Sequence, residues 1–183
     1  AFEAHRDRIA AIVIEPMQGE GGDNHFRPEF LARLRRFADE REALLVFDEV
    51  QTGLGRSGSM WAVEAFGVMP DILVTGKGLP GGLYPIAATL LSSRAGAWLE
   101  DDGWSNISTF GGAELGCVAA LAVLDVVEGP GFLERVVELG ERFERLHGGE
   151  VGQRHPHRAL QLEGRHVHRT RQEQVEAALP PHL

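Results

Sequence analysis

The sequence predicts an α/β fold with a mostly parallel sheet flanked by helices. Three observations point there: short apolar runs rich in β-branched residues, amphipathic stretches of helical period between them, and Gly or Pro breakers where the runs end. Residues 8–14 (RIAAIVI) read as a first buried strand, stopped by Glu15-Pro16. Gly19, Gly21 and Gly22 make a flexible loop, and Pro28 stands where a first-turn proline opens a helix. Phe30, Leu31, Leu34, Phe37 and Ala38 share one face of that helix, with Arg33, Arg35, Arg36 and Asp39 turned away. Residues 44–47 are a second buried strand ending at Asp48, Glu49 and Gln51; residues 72–74 are a third, ending at Thr75-Gly76-Lys77. A fourth strand is expected over 86–91, an apolar helix over 112–127 and, past Gly129-Pro130-Gly131, an amphipathic helix over 132–146.

The chain has 183 residues, about one domain, and 43% of them are apolar, enough for a core. Its 18 basic against 27 acidic residues leave a formal charge of -9, which argues against nucleic acid or an anionic membrane as partner. One cysteine excludes an internal disulfide and suits a reducing compartment. No apolar run reaches the ~18 residues a bilayer span needs, and the start AFEAHRDRIA lacks signal-peptide order. A soluble cytoplasmic protein is the expectation. After His147 the pattern fails: residues 148–183 are rich in His and Arg and poor in core formers, so a tail that is disordered or out of frame is expected there.

In open α/β sheets, ligands bind beyond the carboxyl ends of strands. Asp48 and Lys77 both sit at such ends, about one βαβ unit apart, so they are placed to face one crevice. An acid and a lysine at this spacing also describe a plain surface ion pair. Three details favour chemistry. Lys77 is the chain's single lysine, it lies between Gly76 and Gly78, and Asp48 directly follows the apolar run LLVF. An amine that forms an adduct with an aldehyde needs room around its nitrogen, and a buried acid needs a cationic partner.

Four segments, IEPMQGEGG (14–22), FDEVQTGLGRSG (47–58), PDILVTGKGLPGGLYPIAA (70–88) and STFGG (108–112), occur in order. Together they resemble the class III, or ω-aminotransferase, branch of fold-type I pyridoxal-phosphate enzymes. The resemblance implies that residues 1–147 are part of the large cofactor-binding domain and the start of the return helix, and that the chain is a partial sequence. It implies pyridoxal 5'-phosphate as cofactor, carried on the Lys77 amine, which also moves the substrate proton. Asp48 would pair with the pyridine nitrogen, Gln51 with the phenolic oxygen, and Val50 would lie against the ring. Thr109, with Ser108 beside it, would reach the phosphate of a neighbouring subunit's cofactor, which implies a homodimer with shared sites. Glu20 matches an acid that holds and releases an arginine between half-reactions. The implied reaction moves an amino group, often a terminal one, to a 2-oxo acid such as 2-oxoglutarate. The loop GEGGDNHFRPEF is similar to that of lysine 6-aminotransferases.

Other readings stay open at this point. Racemases, aminomutases and decarboxylases of the same family share most of these motifs, and an inactive fragment that only associates with a partner is a further possibility. Gly53, Gly55 and Gly58 satisfy the G-x-G-x-x-G dinucleotide pattern, so a nicotinamide-dependent oxidoreductase is a separate reading. Against it, the glycines begin five residues after Asp48, and the acid expected at the end of the next strand is missing, Asp71 standing at that strand's start. His155, His157, His166 and His168 are spaced for a metal but lack companions, so no metal site is assigned. Cys117 is expected buried, His25 to hydrogen-bond within its loop, Arg56 to pair with loop carbonyls or an acid, and Tyr84 to pack near the entrance.

Overall fold

The computed structural model describes residue 5 and residues 8–146. Both the expected tail and its histidine pairs lie outside the described residues.

Four strands form one sheet: β1 (Ala11–Ile14), β4 (Leu44–Asp48), β5 (Ile72–Thr75) and β6 (Ala88–Leu91), side by side in that order. The first three run parallel, and β6 returns antiparallel to β5. In-register rows cross the sheet, and one of them, Ile14–Phe47–Leu73–Leu90, belongs to the face that carries the core. Between β1 and β4 the chain makes the two-stranded hairpin β2 (Met17–Gln18) and β3 (Asn24–His25), then helix α1 (Pro28–Glu40). Beyond β4 come α2 (Ala62–Phe66), β5 and β6, the short helices α3 (Ser93–Gly96) and α4 (Trp98–Asp101), and finally α5 (Glu114–Val127) and α6 (Phe132–Leu146).

Helix α1 opens on Pro28, whose missing N–H is one of the first-turn donors a helix leaves unpaired anyway. The five residues that the helical spacing singles out, Phe30, Leu31, Leu34, Phe37 and Ala38, are the buried ones. They join Leu45, Phe47 and Leu73 of the sheet and Ala62, Val63 and Phe66 of α2 in one core. Full burial of each large side chain contributes about 1.5–3 kcal/mol against leaving it exposed. Helix α2 ends at Gly67, whose φ of 63° only glycine adopts at little cost.

Some expectations need correction. Residues 8–14 read as a buried strand, but only four of them pair, and β1 is an edge: Ile12 and Ile14 pack on the core while Val13 is 70% exposed. An apolar run shows no sign of whether its strand lies at the centre of a sheet or at its border. The glycine loop after β1 is in part a hairpin. Cys117 is half-buried, because α5 buries Gly116, Ala120 and Val127 and leaves Leu115, Val118 and Leu121 exposed. Helix α6 buries no residue. Among the described residues, no single helix is long and apolar enough to cross a membrane.

At the N-terminal end of β5, Asp71 is buried and fully engaged. Its carboxylate accepts the Leu45 N–H at 2.8 Å and the Arg35 guanidinium at 2.9 Å, and Arg94 stands 3.8 Å away. Burial alone would push this carboxyl up; the Leu45 N–H and the two guanidiniums outweigh that and hold it below the ordinary carboxylate range. The same cluster leaves the Arg35 guanidinium, itself desolvated, held more firmly protonated by Asp71 and Asp39. It ties α1, both inner strands and α3 together at one end of the sheet.

Candidate active site

The opposite end of the sheet carries the chemistry. Asp48 is the last residue of β4, paired in register with Val74 of β5, and the chain leaves β5 through Thr75 and Gly76 to Lys77. Parallel pairing of β4 with β5 therefore brings the acid and the amine to one edge of the fold, as their spacing predicts. The Lys77 amine donates to Oε1 of Gln51. Lys77 itself has a φ of 30°, a left-handed conformation that side chains rarely adopt.

Asp48 is half-buried, and among the described residues its carboxylate accepts one hydrogen bond, from the Val50 N–H at 3.0 Å. That bond turns the chain so that Val50 lies over Gly76, where a Cβ would stand 3.7 Å from both Val50 methyl groups. Beside Lys77 is a cavity of about 220 Å³ bordered by Val50, Gln51, Leu54 and Arg56, with Phe132 and Val136 of α6 as its far wall. A more open hollow of about 590 Å³ lies on the other side of Lys77 against Pro80, Tyr84 and Ile86. Tyr84 thus lines the approach to the amine.

Gly53 and Gly55 have structural duties. A Cβ on Gly53 would meet the Trp61 ring at 2.7 Å and the Glu49 carbonyl oxygen at 2.9 Å, and Gly55 takes a φ of 81°. The next helix starts only at Ala62, so these glycines do not open a helix for a pyrophosphate, and the dinucleotide reading loses its physical basis.

The other expected site residues lie apart. Glu20 is exposed on the turn of the β2–β3 hairpin, a turn that touches the site through Gly19, where a Cβ would be 3.5 Å from Cγ of Gln51. The hairpin is fastened by Asn24, which donates to Oε1 of Gln18 at 2.8 Å, and His25 bonds Asp23 at 3.0 Å within the loop. Ser108 and Thr109 are exposed on the loop before α5, and the structure does not bring them to Lys77. Arg56 is exposed, and among the described residues its guanidinium pairs with neither a carbonyl nor an acid. Sequence reasoning placed Glu49 in the polar cluster after β4 but missed that it is fully buried. Its partners, the backbone N–H groups of Ala62 and Val63, leave no trace in a residue pattern.

The residues at this edge fit pyridoxal phosphate at its ring: a carboxylate with accepting capacity left over, an amide beside a primary amine, and a branched apolar side chain next to them. Comparison with known proteins agrees. The aminotransferase class-III family matches residues 1–148. The chain is 42% identical over 142 residues to an uncharacterized aminotransferase of Archaeoglobus fulgidus, covering 78% of this chain and 34% of that protein. It is 46% identical over 149 residues to the mitochondrial acetylornithine aminotransferase of Alnus glutinosa, covering 80% and 32%. Among solved structures, the ornithine aminotransferase of Toxoplasma gondii superposes with a TM-score of 0.72 at 37% identity, over 79% of this chain and 34% of that one. An amine transaminase from an uncultivated Pseudomonas species, in its PLP-bound form, gives 0.61 at 43% identity over 66% and 28%. The chain spans about a third of the length of the curated relatives it matches. In sequence and in fold, over nearly all of its described residues, it belongs to the class-III aminotransferase family.

Proposed function

We propose that this chain supplies the amine-bearing part of a pyridoxal-phosphate-dependent aminotransferase that moves a terminal amino group to a 2-oxo acid such as 2-oxoglutarate. The observation that carries the reading is the meeting of Lys77, the single lysine, with the Gln51 amide at the ends of two adjacent parallel strands, one of which ends in Asp48. Family membership supports the cofactor, and relatives named acetylornithine and ornithine aminotransferases support a donor whose reacting amine is terminal.

Asp48 would hold a proton on the pyridine nitrogen, Gln51 would bond the phenolic oxygen, and Val50 would pack on the ring. When bound, the cofactor supplies an electron sink for the carbanion left when the substrate loses a proton. The Lys77 Nζ, displaced by the incoming substrate amine, would take that proton from the carbon bearing the amino group. Glu20 would serve as the acid that holds or releases an arginine between half-reactions, and its turn already leans on Gln51. Ser108 and Thr109, exposed and turned away from their own site, are placed to reach a second subunit, which supports a homodimer with shared sites.

The test is chemical. Pyridoxal phosphate followed by borohydride should label Lys77 saturably, at concentrations that leave the N-terminal amine unmodified, and Gln51→Ala should weaken the labelling. Equal reactivity of the two amines would overturn the assignment. Turnover is a separate matter. With lysine, ornithine or acetylornithine as donor and 2-oxoglutarate as acceptor, the 183-residue chain should give no glutamate above a Lys77→Ala control. Lys77 and Gln51 are exposed, and water there weakens the pairing that a reacting ring needs. Turnover lost in that control would show that the open site suffices.

A further inference from the structure

We propose that Glu49 is a positioning residue for Lys77, its buried side chain closing the loop between β4 and α2 and so holding the Gln51 amide against the lysine amine. Glu49 is fully buried, and both its backbone and its carboxylate are engaged. Its N–H donates to the Val74 carbonyl at 2.8 Å, on the strand that leads to Lys77. Its carbonyl accepts the Gly53 N–H at 2.9 Å, which closes a turn with Gln51 at the apex. One carboxylate oxygen accepts the Thr52 hydroxyl at 2.7 Å and the Ala62 N–H at 2.9 Å, and the other accepts the Val63 N–H at 2.8 Å.

One residue is therefore bonded to both segments that meet at the site: to β5 through its backbone, and to both ends of the Gln51 loop through its side chain. Capping of α2 alone would need only the bonds to Ala62 and Val63. The bond to Thr52, next to Gln51, is the one that a capping role leaves unexplained. The loop has little freedom to compensate, since the Trp61 ring already fills the space beside Gly53. A glutamine at position 49 would turn an N–H₂ donor toward N–H or O–H donors and lose at least one of these bonds.

The single lysine makes the test direct. In the chain labelled with ¹³C at lysine Cε, one Cε signal reports Lys77, and a side chain held by Gln51 should show two distinct Hε shifts. Gln51→Ala should merge them into one. Glu49→Gln should merge them likewise, and should add nothing in the Gln51→Ala background. If Glu49→Gln lowers Tm yet leaves the Hε pair split, Glu49 only caps α2 and the proposal fails. It also fails if Gln51→Ala leaves the wild-type spectrum unchanged. Should Glu49→Gln not fold, Thr52→Val, which removes the hydroxyl bond alone, gives the same reading: a reduced splitting supports the proposal, and an intact one overturns it. The inference rests on Lys77 as the reactive amine. Failed pyridoxal labelling together with a Lys77 signal that still follows Glu49 would overturn that reading and leave the coupling in place.

Discussion

The two ends of the sheet hold carboxylates that look alike in the sequence and differ in what surrounds them. Asp71, where β5 begins, is 8% exposed and engaged by a backbone N–H and two guanidiniums. Asp48, where β4 ends, is half-buried and, among the described residues, accepts one N–H from its own turn. A saturated acid holds a fold together; an acid with accepting capacity to spare can receive a ligand. The contrast separates structural from chemical residues better than residue type does.

The sharpest way to break the comparison is Lys77→Ala. It should abolish the saturable pyridoxal phosphate label completely while leaving urea unfolding within about 0.5 kcal/mol of wild type, as for other exposed positions. At the opposite end, Asp71→Ala should cost about 3–5 kcal/mol in the same unfolding experiment, because it strands Arg35 and the Leu45 N–H. Labelling of Lys77 should be unchanged at temperatures where that variant is folded. A variant that lost labelling before it lost structure would show that the two ends are coupled.

Asp48→Asn keeps an acceptor for the Val50 N–H and should leave stability unchanged. A charge-assisted pair is worth about 1.5–3 kcal/mol, so the pyridoxal phosphate concentration for half-maximal labelling should rise about tenfold or more. An unchanged value would show that Asp48 is not the ring partner. The smallest effect concerns pH. Because the Asp71 carboxyl is held below its unfolded value of about 3.9, its ionised form stabilises the native state above that pH. That contribution fades as pH falls through the lowered folded value. The stability gap between wild type and Asp71→Asn, measured by urea unfolding, should therefore narrow below about pH 4, and a constant gap would contradict the assignment.

Much of this was legible in the sequence where a period or a breaker carries the signal. Helix α1, with Pro28 at its start and its five buried residues, follows from apolar spacing alone. So does the placement of Asp48 and Lys77 at neighbouring strand ends, since parallel pairing follows from the βαβ order. The hairpin of β2 and β3 was not legible, because two-residue strands show no alternation. The anchoring of Asp71 was not either: Arg35 and Arg94 are far off in sequence, and nothing local says that they converge. Roles for Gln51, Val50, Thr109 and Glu20 came from family resemblance, since a residue pattern does not encode what a side chain will touch.

Lys77 sits in a backbone conformation that suits glycine, between two glycines that could hold it without strain. Holding a lysine there costs about 1 kcal/mol or more, so Lys77→Gly should unfold at a slightly higher temperature than the wild type. A selection for thermal resistance alone would therefore discard the only lysine in the chain. Stability and activity pull in opposite directions at this position.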